Sequence, residues 1–265
     1  MMTVNEKTTL ARFLDLTGDY FKDGHARDRE YKVFADDTPQ EEILPESNPE
    51  SLSSLPLAYQ VNENGHEHEY EEESVNETRG TEGIAAAVKT CEACGLAATR
   101  KNTVPGEGAD APLVMVIGEG PGADEDLSGR PFVGKAGQLL DKMLASIGLS
   151  RDKNCFIANM VKCRPPGNRD PKPEEITACF PFLEQQIALL RPRVILCTGR
   201  VAAQNLLKTG TGINALRGTF SEFCITETGE TIPVLCTFHP SAILRDENLK
   251  RPAWEDLKLL KSKLK

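Results

Sequence analysis

Four short apolar runs alternate along the second part of the chain with segments of helical periodicity. The apolar runs cover residues 113–117, 155–160, 193–198 and 234–238. Apolar side chains recur at helical spacing over about residues 136–147, 174–190, 200–208 and 253–263. Short apolar runs with β-branched residues are typical of buried strands. Strands that alternate with helices predict an α/β fold, with a mostly parallel sheet and helices on both of its faces.

The first 83 residues follow a different pattern. Residues 35–83 hold 14 acidic residues and one basic residue, with few large apolar side chains. Such a stretch buries too little apolar surface to offset the entropy of ordering, so we predict a disordered acidic linker there. Residues 1–34 predict a short amphipathic helical segment. Within it, residues 10–21 form either a marginal helix or a peptide that docks a protein partner.

Charge divides the chain at the same place. Residues 1–83 carry a net charge of −13 and residues 84–265 a net charge of +4. We therefore predict the folded domain at residues 84–265, and its mild positive charge permits contact with nucleic acid. The sequence contains no apolar span of about 18 residues. It therefore predicts a protein without a membrane segment, located in the cytoplasm.

Polar or glycine-rich segments follow each of the predicted strands. They comprise residues 119–126, 159, 199–200 and 239–241. Because the carboxyl ends of parallel strands lie at one edge of a sheet, we expect these residues to line one crevice. Gly118, Gly120 and Ala123 also fit a loose dinucleotide-binding pattern. Pro121 and three consecutive acidic residues stand where the phosphates would bind, so we reject a nucleotide cofactor.

The eight cysteines separate into two sets. Four of them fall in apolar runs and are predicted to be small core residues: Cys155, Cys197, Cys224 and Cys236. The others fall in polar, loop or helical contexts: Cys91, Cys94, Cys163 and Cys179. Thiolates are soft ligands, so this second set predicts a metal site. The pattern alone leaves zinc and an iron–sulfur cluster open.

Four motifs resemble one known family. They are GEGPG at residues 118–122, GRPFVG at 129–134, NMVKCRPP at 159–166 and HPS at 239–241. Together with the spacing of the second cysteine set, they are similar to the family 4 uracil-DNA glycosylases, the iron–sulfur members of that superfamily. The resemblance covers residues 84–265. It implies a four-stranded parallel sheet in an αβα sandwich, and a [4Fe-4S] cluster on Cys91, Cys94, Cys163 and Cys179.

The resemblance also implies an activity. Family members flip uracil out of single- or double-stranded DNA and hydrolyse its N-glycosidic bond, which leaves an abasic site for repair. Phe132 resembles the aromatic residue that stacks on the base. Asn159 resembles the amide that reads the base edge, and His239 resembles the residue that donates a hydrogen bond to uracil O2.

The resemblance does not single out one residue as the group that orients the attacking water. Related families place an aspartate for this task in the first loop of the base pocket, and Gly120 stands at that position. Glu119 and Glu125 are the remaining catalytic candidates in the loop.

The segment that begins at the HPS motif resembles the loop that enters the DNA minor groove. Ser241 and Arg245 suit contact with phosphate. Ile243 or Leu244 is expected to fill the space left by the flipped base, as apolar wedges do elsewhere.

Two other classes of function stay open on the sequence. One is a non-enzymatic metal or redox module, which needs neither Asn159 nor His239 at a strand end. The other is a relative that binds uracil in DNA and becomes covalently trapped. Those relatives carry a glutamine at the position of Gly120 and an inserted basic loop with a histidine after the first motif, and neither feature is present between Gly120 and Gly137.

Overall fold

The computed structural model describes residues 80–226 and 228–265. The predicted amphipathic segment, its partner-docking residues 10–21 and nearly all of the predicted linker lie outside the described residues. The first helix, α1, spans Thr81–Thr90. The predicted linker boundary at residue 83 is therefore too late, because residues 81–83 form the first turn of this helix.

The described chain contains six strands and seven further helices. The strands are β1 Glu107–Gly108, β2 Val114–Gly118, β3 Cys155–Asn159, β4 Val194–Thr198, β5 Phe220–Cys224 and β6 Thr231–Thr237. The helices are α2 Ala123–Ser128, α3 Lys135–Ser146, α4 Pro173–Leu190, α5 Arg200–Leu206, α6 Ile213–Leu216, α7 Pro240–Arg245 and α8 Lys250–Lys263. Each predicted apolar run contains or overlaps a strand, and each predicted helical segment overlaps a helix.

The strands form one sheet in the order β1-β3-β2-β4-β6-β5. The four central strands, β3, β2, β4 and β6, are mutually parallel, whereas β1 and β5 pair antiparallel at the two edges. The expected four-stranded sheet is therefore corrected to six strands. The two edge strands were not predicted because neither forms an apolar run like those of the central strands. Strand β1 has only two residues, and β5 has one buried residue among five.

Helices cover both faces of the sheet. Met115 and Ile195 point to one face, where they belong to a core with side chains of α4 and α5. Val116 and Leu196, one residue further along their strands, point to the other face and join a core with α3 and α8. Side chains alternate between the faces of a strand, so strands buried on both sides read as continuous apolar runs. The result is the predicted three-layer αβα arrangement.

The register of the parallel strands brings their carboxyl ends together. Gly118 at the end of β2 lies opposite Asn159 at the end of β3. Thr198 at the end of β4 lies opposite Thr237 at the end of β6. The polar segments that follow these strands therefore leave the sheet at one edge. Among the described residues, no helix combines the length and the apolar composition needed to span a lipid bilayer.

Candidate active site

A crevice of about 740 Å³ opens at the carboxyl edge of the sheet. The segments that follow the four central strands all contribute to its walls, as do the cysteine-flanked loop around residues 165–170 and the loop before α3. The lining includes these predicted site residues: Glu119, Gly120, Glu125, Phe132, Asn159, His239, Ser241 and Arg245. The expectation that the strand ends would meet in one crevice is confirmed.

The floor of the crevice depends on a close approach at Gly118. A Cβ atom at this position would lie 2.4 Å from Oδ1 of Asn159 and 2.5 Å from Cζ of Phe132. Because glycine has no side chain, the amide and the aromatic ring both reach the end of β2. Asn159 is 1% exposed, and its Oδ1 has no hydrogen-bond partner among the described residues. A buried polar atom of this kind normally has a partner, so Oδ1 is a candidate acceptor for a ligand.

Phe132 and His239 form adjacent parts of the wall. Their ring centroids are 5.7 Å apart and their planes are inclined by 32°. Phe132 is 6% exposed and has a backbone φ of 52°, in the left-handed region that few non-glycine residues adopt. Residues held in such conformations cluster at ligand-binding sites, where the surrounding structure fixes them.

His239 is held as a neutral imidazole. Its Nδ1 accepts a hydrogen bond from the backbone N–H of Ser241 at 3.1 Å and lies 2.8 Å from the Ser241 hydroxyl. Burial, reinforced by the positive charge of Arg245, lowers the pKa of His239 to about 4. Because Nδ1 is an acceptor, the ring proton belongs on Nε2. Nε2 is thus the nitrogen with a hydrogen to donate.

Glu119 is the loop carboxylate with the strongest electrostatic perturbation. Burial and the nearby negative charge of Asp170 raise the pKa of Glu119 to about 7, against the opposing effect of Arg200. Asp170 and Arg200 form an ion pair at the exposed rim of the crevice. Glu119 therefore changes charge near neutral pH, which is unusual for a carboxyl group and typical of functional sites.

Glu125 is engaged by the backbone. Its Oε1 accepts hydrogen bonds from the N–H groups of Val133 and Gly134, both at 2.9 Å, and its Oε2 accepts one from Gly122 at 3.0 Å. This carboxylate therefore ties the first loop to the loop that precedes α3. The sequence did not predict this role, because the bonded groups lie eight and nine positions away along the chain.

The predicted DNA-contact segment forms α7, and one assignment within it is wrong. Ile243 is fully buried and belongs to the core beneath the sheet, so it cannot leave that core to act as a wedge without opening a cavity. Leu244 is partly buried at the edge of the same core. Arg245 is exposed and, with Ser241, lines the crevice.

The second cysteine set surrounds a separate cavity. Its lining includes all four members: Cys91, Cys94, Cys163 and Cys179. Nη1 of Arg100 donates a hydrogen bond to Sγ of Cys163 at 3.3 Å, and the backbone N–H of Lys162 donates to Sγ of Cys179 at 3.2 Å. Two of the four sulfurs thus have N–H donors directed at them, and this fits a thiolate-bound group, since such donors stabilise thiolate charge.

Among the described residues, no group of three or more His, Cys, Asp or Glu side chains has the geometry to hold a metal ion. The four cysteines line one cavity, and the choice between zinc and an iron–sulfur cluster does not follow from its geometry.

Comparison with known proteins identifies the family of this chain. The profile of the Uracil DNA glycosylase superfamily matches residues 105–258. The chain belongs to the type-4 family of uracil-DNA glycosylases. It is 43% identical over 179 residues to the type-4 uracil-DNA glycosylase of Archaeoglobus fulgidus, which is 66% of this chain and 88% of that protein. Identities to the type-4 enzymes of Saccharolobus solfataricus and Thermotoga maritima are 44% and 41%, over 68% and 69% of this chain and 85% and 93% of those proteins.

A buried lysine of this type-4 family member was missed by the sequence reasoning. Lys162 is 1% exposed, and its Nζ donates hydrogen bonds to the backbone carbonyl of Asn159 at 3.1 Å and to Oε1 of Gln186 at 2.7 Å. Burial lowers the pKa of Lys162 to about 8. Its position within an otherwise apolar run, between Asn159 and Cys163, was the available signal.

The other cysteine set is only partly as predicted for this type-4 chain. Cys155, Cys197 and Cys236 are buried core residues. Cys224 is exposed, so its predicted core position is wrong. It lies in the edge strand β5, whose side chains alternate between the core and solvent.

Replacement of Gly118 by Ala tests the close approach in the crevice. The new methyl group would overlap Asn159 and Phe132, so we expect a loss of about 1–3 kcal/mol in the free energy of unfolding. Gly210→Ala is the control, because a Cβ there meets no atom within 4 Å. Thermal unfolding of both variants measures the difference, and equal stability of the two would contradict the packing described.

Proposed function

We propose that this protein removes uracil from DNA by hydrolysing the N-glycosidic bond and leaves an abasic site. The observation that carries the proposal is the unpartnered, buried Oδ1 of Asn159 beside Phe132 and His239. The type-4 relatives are named uracil-DNA glycosylases, which supports the same conclusion. The cytoplasmic location and a protein partner for residues 10–21 stay predictions.

Recognition of the base follows from the chemistry of Asn159. A base inside a duplex is out of reach, so the nucleotide must be extruded and its base inserted into the crevice. Oδ1 of Asn159 accepts a hydrogen bond from uracil N3–H, while the amide N–H₂ donates to O4. Cytosine presents the opposite donor and acceptor pattern and would leave buried groups unpaired, which is strongly unfavourable. Phe132 stacks on the base.

His239 stabilises the leaving group. Cleavage of the glycosidic bond develops negative charge on uracil and positive charge on the sugar. The neutral ring donates a hydrogen bond from Nε2 to uracil O2, in a buried setting where such bonds are strong. Because Ser241 fixes Nδ1 as an acceptor, this orientation exists before the substrate binds.

Glu119 orients the attacking water. It is the half-buried carboxyl group of the first loop, adjacent to Gly120, and Glu125 is committed to backbone donors. In its ionised form Glu119 accepts a proton from the water and also stabilises the cationic sugar. Gly120 stands where related families place an aspartate, and a Cβ at this position would lie 2.8 Å from Cγ2 of Val161.

The DNA backbone lies against the segment that follows β6. Ser241 and Arg245 contact phosphates. Of Ile243 and Leu244, only Leu244 remains a candidate for the apolar side chain that fills the space left by the flipped base. The net charge of +4 over residues 84–265 favours approach to single- or double-stranded DNA.

The cavity lined by Cys91, Cys94, Cys163 and Cys179 holds a [4Fe-4S] cluster. The fit rests on the four converging cysteines and on the N–H donors to Cys163 and Cys179. The cluster supplies structural cross-linking when bound. Bound there, it would join the segment after α1 to residues 163–179, of which Pro165, Asn168, Arg169 and Asp170 line the crevice.

The roles of Asn159 and His239 predict separable defects. Asn159→Asp should weaken the preference for uracil over cytosine, because one donor is lost. His239→Ala should slow single-turnover cleavage by about 10²–10³-fold, as expected for loss of one stabilising donor. The assay is release of uracil from a labelled oligonucleotide, followed by alkali. The crevice assignment is wrong if both variants match the parent, and strand breakage before alkali would contradict simple hydrolysis.

The raised pKa of Glu119 predicts the pH dependence. The carboxylate is required, so the single-turnover rate should rise with pH and level off above about 7, with a loss of about tenfold per pH unit below it. His239 stays neutral down to a pKa of about 4 and adds no further change above that pH. Glu119→Gln should remove this dependence, and persistence of the same profile in that variant would exclude Glu119.

The cluster predicts colour and iron content. Protein purified without oxygen should be brown and contain about four irons per chain. Cys163→Ala should lose iron and stability together, since metal binding is coupled to folding. Cys224→Ala is the matched control, because this cysteine is exposed and outside the cavity lining, and it should keep its iron. One zinc and no iron per chain after iron-replete expression would overturn the assignment.

A further inference from the structure

Arg151 forms hydrogen bonds to the backbone of the loop that carries Phe132. It lies in the turn between α3 and β3, nineteen residues along the chain from Phe132. Its Nη1 donates a hydrogen bond to the carbonyl of Pro131 at 2.9 Å, and its Nη2 donates to the carbonyl of Phe132 at 2.8 Å. One guanidinium therefore holds two consecutive peptide groups at the edge of the crevice.

The guanidinium is itself fixed from two other elements. Nη1 contacts a carboxylate oxygen of Glu107 in β1 at 2.6 Å, and Nη2 contacts one of Asp141 in α3 at 2.8 Å. The Arg151 side chain is only 11% exposed. A planar guanidinium group with two carboxylate and two carbonyl acceptors has little freedom to move. Its hydrogen bonds therefore hold the loop in a fixed position.

The Phe132 backbone needs such support. Its φ of 52° is unfavourable for a residue with a bulky aromatic side chain, and such a conformation persists only where the surroundings impose it. The carbonyl of Phe132 also packs directly on α3: a Cβ at Gly137 would lie 1.9 Å from that oxygen. Arg151 and the bare backbone at Gly137 thus hold this carbonyl from two directions.

We propose that Arg151 is a positioning residue that sets the angle of the Phe132 ring and thereby the binding of the flipped base. The inference rests on the proposed function, since it concerns how that crevice receives uracil. Arg151 touches neither the base nor the reacting atoms in this arrangement. It acts through the two carbonyls of the Phe132 loop.

Arg130 provides a matched control in the same network. It pairs with the same carboxylate, Glu107, at 2.7 Å. Its side chain is 60% exposed, and its guanidinium makes no hydrogen bond to a carbonyl of the described loop. Loss of Arg130 removes one ion pair of the network but leaves the hydrogen bonds from Arg151 to the carbonyls of Pro131 and Phe132.

The test is a double-mutant cycle with Phe132→Leu, measured as kcat/KM on uracil-containing single-stranded oligonucleotide with the full-length protein. Arg151→Met should lower kcat/KM by about 10–100-fold in the parent, the range expected when a contact group is misplaced. In the Phe132→Leu background it should lower kcat/KM by less than about threefold, because its effect acts through the ring. The proposal would be overturned if the fold-loss in kcat/KM of the double variant equalled the product of the fold-losses of the two single variants.

A second readout uses free uracil as an inhibitor, which avoids DNA contacts. Arg151→Met should raise the inhibition constant of free uracil by about tenfold or more, Arg151→Lys should restore less than half of the lost affinity, and Arg130→Met should leave it unchanged. An unchanged constant in Arg151→Met overturns the inference even if the double variant is too slow to assay. A parent protein that releases no uracil defeats the proposed function instead.

Discussion

The crevice depends on the space that Gly118 leaves empty. The end of β2 is bounded by Asn159 of the neighbouring strand and by the Phe132 ring, and both come within 2.5 Å of the place where a side chain would begin. The parallel register of β2 and β3 delivers Asn159 to this point. A β-carbon here would push the amide and the ring apart and would change the shape of the crevice that both of them line.

Burial at the same edge of the sheet shifts the pKa values of two titratable groups of the crevice, His239 and Glu119. It lowers the pKa of His239 to about 4 and raises that of Glu119 to about 7. Both shifts favour the neutral form, because a low-dielectric site penalises either charge. The histidine is therefore a hydrogen-bond donor without being a cation, while the glutamate gains or loses its charge near neutrality. One physical cause thus gives the two groups different behaviour.

The sequence could predict those features whose cause is local. Apolar runs marked the central strands, and two residues at or just beyond the carboxyl ends of these strands, Asn159 and His239, line the same crevice. Periodicity could not reveal contacts between distant segments, so it missed the hold of Arg151 on the Phe132 loop and the backbone bonds of Glu125. It also misjudged Ile243, since a residue in a functional motif can equally face the core. The sequence did not predict the edge strands, because short or half-exposed strands do not produce a run of apolar residues.

The stretch from Asn159 to Cys163 couples the crevice to the cysteine cavity mechanically. Only three residues separate Asn159 from Cys163, and the last of them, Lys162, forms hydrogen bonds towards both sites. Its backbone N–H donates to Sγ of Cys179, and its buried ammonium donates to the carbonyl of Asn159. Lys162 therefore links the carbonyl of Asn159 in the crevice to a cysteine of the second cavity through two hydrogen bonds. A displacement at Cys179 would be transmitted to Asn159 along this short connection.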